Sequence, residues 1–185
     1  MLIATRRLTL RRFLAEDAVT LAAYRSDDRV ARYQSWEPPV SLSEARQLVR
    51  VLGAGNPDEP GWFQYAVERT ADHAHLGDVG VNLHENRMQA EIGFTVAAGH
   101  QGAGYATEAV LGVLGRLFAV QGLHRVSAEC DARNVRSARL LERVGFSREG
   151  LRPSYTFIKG EWTDDLLFGL LADNWRTLYT GSGRK

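Results

Sequence analysis

Apolar and polar positions fall into short runs of two different periods along this chain. Arg7-Leu8-Thr9-Leu10-Arg11-Arg12-Phe13 alternates roughly with period two, as a half-buried strand does. Glu16 to Arg25 carries acids in its first turn and reads as a helix, and Asp27 to Tyr33 as a second, short one. Trp36-Glu37-Pro38-Pro39 is a loop, since neither proline fits a helix interior. Ser41 with Glu44 is a capping box that opens a helix to about Leu52. Gly53 to Gly61 holds three glycines and two prolines and is expected to be irregular. Trp62 to Glu68, Leu76 to Leu83 and Met88 to Val96 read as a three-stranded meander with turns at Thr70 to Ala74 and Glu85 to Arg87. An apolar helical run, Ala109 to Phe118, follows. Arg125 to Glu129 is a short strand and Asn134 to Val144 a helix, with Gly145 suited to the position just past its end. Phe146 to Ile158 and Glu161 to Leu171 form a hairpin turning at Lys159-Gly160. Asp173 to Tyr179 is a last short helix, and Gly181 to Lys185 is expected to fray. No repeat and no low-complexity segment interrupts the series, and the 53–61 loop lies inside the pattern, so it is not a linker.

One stretch changes that picture from architecture to chemistry. His100-Gln101-Gly102-Ala103-Gly104-Tyr105-Ala106-Thr107-Glu108-Ala109 joins the strand-like run Glu91 to Val96 to the apolar helix, and Gly99, Gly102 and Gly104 sit at the junction. Glycine lets backbone approach a ligand closely and takes positive φ. A helix start offers unpaired N–H groups and the positive end of the helix dipole. Together they can cradle a pyrophosphate without a lysine. A P-loop is excluded, because it needs Gly-Lys-Ser/Thr and the only lysines are Lys159 and Lys185. A dinucleotide fingerprint fails because Thr107 stands where its last glycine belongs. An ordinary glycine-rich turn is the competing reading of the same residues.

Composition narrows the field. A length of 185 residues suits one domain, and 44% apolar residues suffice for a real core. The net charge of +1 gives no basic field for nucleic acid. The lone Cys130 rules out an internal disulfide framework and fits a reducing cytosol, so a cytoplasmic location is expected. The N-terminal residues do not form a signal peptide, and no apolar run approaches the ~18 residues of a membrane span.

Gln101-x-x-Gly104-x-Ala106 resembles the Q/R-x-x-G-x-G/A signature of the Gcn5-related N-acetyltransferases (GNAT), which bind the pyrophosphate of acetyl-CoA. The order β, α, α, β, β, β, α, β, α, β, β is that of the same fold. Asn134-Val-Arg-Ser137 through Gly145-Phe146 is similar to a segment of the branch that acetylates ribosomal-protein N-termini, the RimJ/RimL type. Glu91-Ile-Gly-Phe, Glu149-Gly150-x-Arg152 and Asp164-x-x-x-Phe168-x-Leu-Leu are similar to it too. The resemblance covers about Thr5 to Tyr179. It implies a single α/β (α+β) domain over 1–185 with a core of about 5–179. The central sheet is then mixed, mostly antiparallel and twisted, of about seven strands flanked by helices. It implies acetyl-CoA as co-substrate, an amine acceptor, and no metal. The five histidines show no ligand spacing. No nucleic-acid or membrane partner is expected, and a homodimer is compatible with the chain.

The resemblance also assigns roles. The strand before the cradle splays from its neighbour, and pantetheine adds there, so the backbone of Phe94, Thr95 and Val96 is the expected partner. Gln101, Gly102, Ala103, Gly104, Tyr105 and Ala106 would hold the pyrophosphate. Glu91, Gly93 and Thr95 share one strand face. A carboxylate there can serve as general base, its pKa raised by burial, unless it is only a strand-end ion pair. Asn134 is a good N-cap for Ser137, and in the family both face the pantetheine, which makes Ser137 the candidate proton donor to the leaving thiolate. Tyr155 lies where the family lines its acceptor cleft and could donate that proton instead. Trp36 could wall the cleft, though a large aromatic more often packs. Arg136, Arg139 and Arg143 form one helix face that either is solvated or meets the phosphates of CoA. Cys130 reads as packing.

An α-amino group titrates near 7.7–8.0 and a lysine near 10.4, so at neutral pH the former is neutral roughly several-hundred-fold more often. With one plausible carboxylate, the chain favours a protein N-terminal α-amine over an antibiotic, polyamine or other small amine. A non-catalytic acyl-CoA sensor is the alternative of a different class.

Overall fold

The computed structural model describes residues 2–179 and 181 of the chain. Eight strands form one sheet in the order β1-β2-β3-β4-β5-β6-β8-β7. In chain order they are β1 (Ile3–Ala4), β2 (Leu8–Arg11), β3 (Gly61–Arg69), β4 (His75–Leu83), β5 (Gln89–Val96), β6 (Arg125–Asp131), β7 (Ser147–Ile158) and β8 (Glu161–Leu171). Every neighbouring pair is antiparallel except β5 and β6, which run parallel. The helices are α1 (Asp17–Arg25), α2 (Asp28–Ala31), α3 (Leu42–Ala54), α4 (Tyr105–Gly115), α5 (Val135–Arg143) and α6 (Ala172–Tyr179).

The sheet has one strand more than the seven expected. The addition is β1, whose Ile3 and Ala4 face Leu10 and Thr9 across a tight return at Thr5 to Arg7. Two residues are too few to show a period, which is why the pattern hides them. The helix expected from Ala109 begins at Tyr105, and its end widens into a π turn over Arg116–Val120. The capping box holds: the Glu44 N–H donates to Ser41 Oγ and the Ser41 N–H to Glu44 Oε2. The tail expected to fray lies, from residue 182 on, outside the described residues.

Alternation sorts the sheet into two unlike faces. On one face Leu10, Tyr65, Val67, Val79, Val81, Ile92, Val126 and Phe168 pack under α4 and α5, against Val110, Val113, Leu114 and Leu141. The opposite face carries a smaller core, in which Ala66 of β3 meets Leu21 and Tyr24 of α1 and Val49 of α3. Beyond those helices the second face turns polar. Strand register lines up Trp62, Asn82, Glu91, Ser127 and Gly169 across it in one row.

Candidate active site

Three local features converge at the top of β5. The first is a gap in the sheet. β5 pairs with β6 only from Gln89↔Arg125 to Ile92↔Ala128. Past that point β5 continues to Val96 and β6 to Asp131, while β5 keeps its pairing with β4 as far as Gly77↔Val96. Backbone groups alternate along a strand. The Ala97 N–H donates to Leu76 O on the β4 side, so Phe94 and Val96 turn theirs toward the gap. The carbonyl of Val96 is met there by Gln101 Nε2 at 2.9 Å, and Arg136 Nη1 of α5 reaches Gln101 Oε1 at 3.2 Å. Gln101 thus bridges the end of β5 and the first turn of α5 across the opening.

The second feature is the glycine turn. Gly102 and Gly104 both take φ of +80°, the left-handed region that glycine allows without strain, and Gly104 is the N-cap of α4. A glycine cap has no side chain to satisfy the helix start, and the backbone N–H groups of residues 102–107 have no acceptor among the described residues. Six consecutive unpaired donors at a positive helix end are a set that can accept an anion. From Gly104 a groove of about 600 Å³ runs past Thr107 and Leu111 to Arg143. Tyr105 packs against the main core with its ring 4.5 Å from the Arg7 guanidinium.

The third feature is the polar row on the second face. Glu91 is half-buried; burial first, and then the charge of Glu129, push its carboxyl up, while His84 and Arg152 pull it down. Gly93, two residues on and on the same face, has no atom within 4 Å of where a Cβ would stand. The floor beside Glu91 is therefore open. Trp62 lies across Gly80 on its other side, 3.2 Å from the position a Cβ would take there. Ser137 is half-buried one turn into α5, its N–H donating to Asn134 Oδ1 at 3.2 Å. Its hydroxyl makes no hydrogen bond among the described residues.

Tyr155 stands exposed on β7 with the Arg152 guanidinium 3.8 Å from its ring centroid. Arg152 is in turn bound to Glu129 and lies 3.4 Å from Asp165. Tyr155 is thus tied to the charges that surround Glu91. Trp36 is half-buried against the smaller core: its indole N–H donates to Arg25 O at 3.0 Å, and the Arg25 guanidinium lies 4.3 Å from its ring centroid. The Cys130 thiol is half-buried and pushed up to about 11 by burial and then by Asp131, Asp165 and Glu129, so it is a poor nucleophile. Among the described residues no group of histidine, cysteine and carboxylates could hold a metal, and no helix is long and apolar enough to cross a membrane.

Two contributors were not legible in the sequence. Arg152 and Glu129 are adjacent only through β8, which pairs with both β6 and β7. Arg7 and Glu108 meet at 2.7 Å behind the glycine turn although 101 residues separate them.

With this geometry in hand, comparison with known proteins gives one answer. The family model of the acetyltransferase (GNAT) domain matches residues 7–147, and the chain belongs to that family. It is 32% identical over 169 residues to the uncharacterized N-acetyltransferase p20 of Bacillus licheniformis, covering 90% of this chain and 94% of that protein. It is 33% identical over 84 residues to the [ribosomal protein uS5]-alanine N-acetyltransferase of Escherichia coli (strain K12), covering 45% of this chain and 43% of the relative. The fold matches the crystal structure of spermidine N-acetyltransferase from Vibrio cholerae in complex with CoA and spermine. That match has a TM-score of 0.79 and 23% identity, and spans 92% of this chain and 99% of the other. The chain is an N-acetyltransferase with the relatives expected of the RimJ/RimL-type branch.

Proposed function

We propose that this enzyme transfers the acetyl group of acetyl-CoA to a protein N-terminal α-amine, by direct attack within a ternary complex. The observation that carries the reading is the open floor over Gly93 between the Glu91 carboxyl and the one-sided stretch of β5. A thioester entering the gap alongside Phe94 and Val96 brings its carbonyl to the level of Gly93. There a backbone N–H of that stretch serves as donor to the developing oxyanion. The diphosphate sits on the N–H groups of 102–107. The groove toward Arg143, with Arg136 and Arg139 on the same helix, takes the remaining negative charge.

The amine approaches from the polar face. Its nitrogen attacks the carbonyl carbon, the C–N bond forms, and its proton passes to Glu91, directly or through water. The C–S bond breaks, and the Ser137 hydroxyl passes a proton to the thiolate, itself or through an ordered water, and is reprotonated from solvent; Tyr155 is the second candidate for that step. Trp62 and Tyr155 border the acceptor's approach, with Trp36 on the wall supplied by the α1 to α3 segment. An α-amine suits a single carboxylate base because it sheds its proton near neutrality. The likeness to an N-acetyltransferase of ribosomal protein uS5 points the same way. The neighbour crystallised with spermine makes a polyamine the competing acceptor. The stretch 1–185 acts as one domain, and the reduced Cys130 suits the cytoplasm.

The test is an acceptor screen that follows CoA release, with mass spectrometry of the products. It should include peptides bearing free and blocked N-termini beside polyamines and small amines. Turnover of free N-terminal peptides supports the proposal. Turnover of spermidine alone moves the acceptor to small amines. Tight acetyl-CoA binding without any thiol release would make the chain a sensor.

A further inference from the structure

The glycine turn gains its shape from a residue far from it in sequence. Arg7, at the end of the return between β1 and β2, makes four contacts with α4 and the turn before it, while its carbonyl accepts the Thr70 N–H at 2.9 Å. Its backbone N–H donates to Glu108 Oε1 at 2.7 Å and its Nε to Glu108 Oε2 at 2.7 Å. Its Nη1 donates to the carbonyl of Ala103 at 3.1 Å. Its guanidinium lies 4.5 Å from the Tyr105 ring centroid, and its Nη2 is 3.4 Å from where a Gly104 side chain would begin. Glu108 also receives the Thr5 hydroxyl at 2.6 Å, and its own N–H donates to the Gly104 carbonyl at 3.1 Å.

Peptide geometry turns these contacts into a statement about the ligand side. In a planar trans peptide the C=O of one residue and the N–H of the next point in opposite directions. Holding the Ala103 carbonyl against Arg7 therefore aims the Gly104 N–H the other way, out of the turn. Holding the Gly104 carbonyl against Glu108 does the same for the Tyr105 N–H. The Ala103 carbonyl is held by the Arg7 side chain; the Gly104 carbonyl is held by the backbone N–H of Glu108, the first bond of α4 itself. Left-handed glycines are the residues most free to flip such planes, so a turn carrying Gly102 and Gly104 needs an outside constraint. Burial alone would raise the Glu108 carboxyl, but hydrogen bonds from Thr5 and Arg7 outweigh it and keep it below the usual range, hence charged.

We infer that the Arg7–Glu108 pair is a positioning clamp that fixes the Gly104 N–H group as a diphosphate donor before acetyl-CoA arrives, beside the Tyr105 N–H that the helix start orients. The inference rests on the cradle reading above. Arg7 does not line the groove, while Glu108 does, with its carboxylate taken up by Arg7 and Thr5; the effect on binding comes from pre-orientation, which removes an ordering cost that a free turn would meet.

Calorimetry with acetyl-CoA on Arg7→Gln, Glu108→Gln and the double variant tests it, together with amide exchange across 101–107 in the free protein. Each single variant should weaken binding about tenfold, equal to ~1.4 kcal/mol. The double variant should be no worse than either single one, because one clamp is lost only once. Amide exchange should keep the wild-type pattern throughout the sheet, with any change confined to residues 101–107. In steady state KM for acetyl-CoA should rise far more than kcat falls. Arg7→Lys should lie between, since an ammonium can hold Glu108 or Ala103 but not both in the guanidinium's fork. If Arg7→Gln fails to fold, Thr5→Val frees Glu108 from the Thr5 hydroxyl, along with that hydroxyl's bonds to Leu8, and should still raise Kd measurably. Variants that lower the melting temperature but leave Kd within twofold overturn the clamp. If Gly104→Val also leaves the wild-type affinity intact, the cradle itself is wrong; if Gly104→Val abolishes binding while Arg7→Gln does not, only the clamp is.

Discussion

Glu91 and Gly93 share one face of β5, and the space above Gly93 is empty to 4 Å. The carboxyl thus looks onto room for a reacting group at the height where β5 loses its β6 partner. Gly93 does not lie in the left-handed region, so a side chain there meets no backbone strain. Gly93→Leu should fold with a melting temperature near that of the wild type, bind acceptor poorly and lose at least tenfold in kcat/KM. Near-normal turnover in a folded Gly93→Leu protein would show that the reaction takes place elsewhere.

Gly104→Val addresses the cradle. Valine at φ +80° is strained and blocks close approach to the unpaired N–H groups. Acetyl-CoA affinity should fall by more than tenfold with the circular dichroism spectrum unchanged. The wild type should bind CoA far better than ATP or NAD, because neither competing fingerprint is present. Comparable, magnesium-dependent ATP binding would contradict the assignment.

What could be read in the sequence follows the range of the interactions involved. The meander, the terminal hairpin and the Asn134 cap depend on residues within a few positions of each other, and the structure shows them where the pattern puts them. The glycine turn was visible because left-handed backbone has a residue preference. β1 was hidden by its length, and the four-residue shift in the start of α4 by polar Thr107 and Glu108 inside its first turn. Arg7 with Glu108, and Arg152 with Glu129, join elements through the sheet order, for which no local pattern exists. Trp36 was an aromatic in a proline loop; only the structure shows Arg25 occupying both its ring face and its N–H.

Away from the site, a buried polar cluster should govern acid stability. Arg11 pairs with Asp17 at 2.7 Å and with Glu68 at 2.5 Å, and His75 Nδ1 lies 3.5 Å from Asp17. His75 Nε2 donates to Gly77 O, leaving Nδ1 without a hydrogen bond. Burial pushes the His75 imidazole down, against the pull of Asp17 and Asp78. Burial raises Asp17, but Arg11, the Leu14 N–H and the neighbouring charges outweigh it and hold the carboxyl low. Both groups bind protons more readily in the unfolded chain, so stability drops as pH falls. The His75 part should be lost from about pH 6.5 downward and the Asp17 part from about pH 4 downward. Urea midpoints across this range should show two steps, and His75→Gln should remove the upper one. Arg11→Gln should cost about 3–5 kcal/mol by stranding buried carboxylates. A midpoint flat between about pH 7 and about pH 5 would exclude a buried, neutral His75.

The chemical roles can be separated by pH. Glu91 works as a base only when deprotonated, and burial with the Glu129 charge places its titration above the usual carboxylate range. The rate should therefore show an acidic limb shifted upward. Glu129→Gln removes a repelling charge and should move that limb to lower pH. Arg152→Gln removes an attracting one and should move it to higher pH, since Arg152 lowers the Glu91 carboxyl. Glu91→Gln should abolish the limb and reduce kcat/KM for acceptor by about 10²–10⁴, with acetyl-CoA affinity nearly unchanged. Ser137→Ala should lower kcat without moving the limb, because a hydroxyl does not titrate near neutrality. If substrate positioning dominates and the amine gives its proton to bulk water, the pattern differs. Glu91→Gln would then raise the acceptor KM and leave kcat and its pH profile intact. Glu129→Gln and Arg152→Gln would shift nothing, and Glu91 would be an acceptor-binding residue.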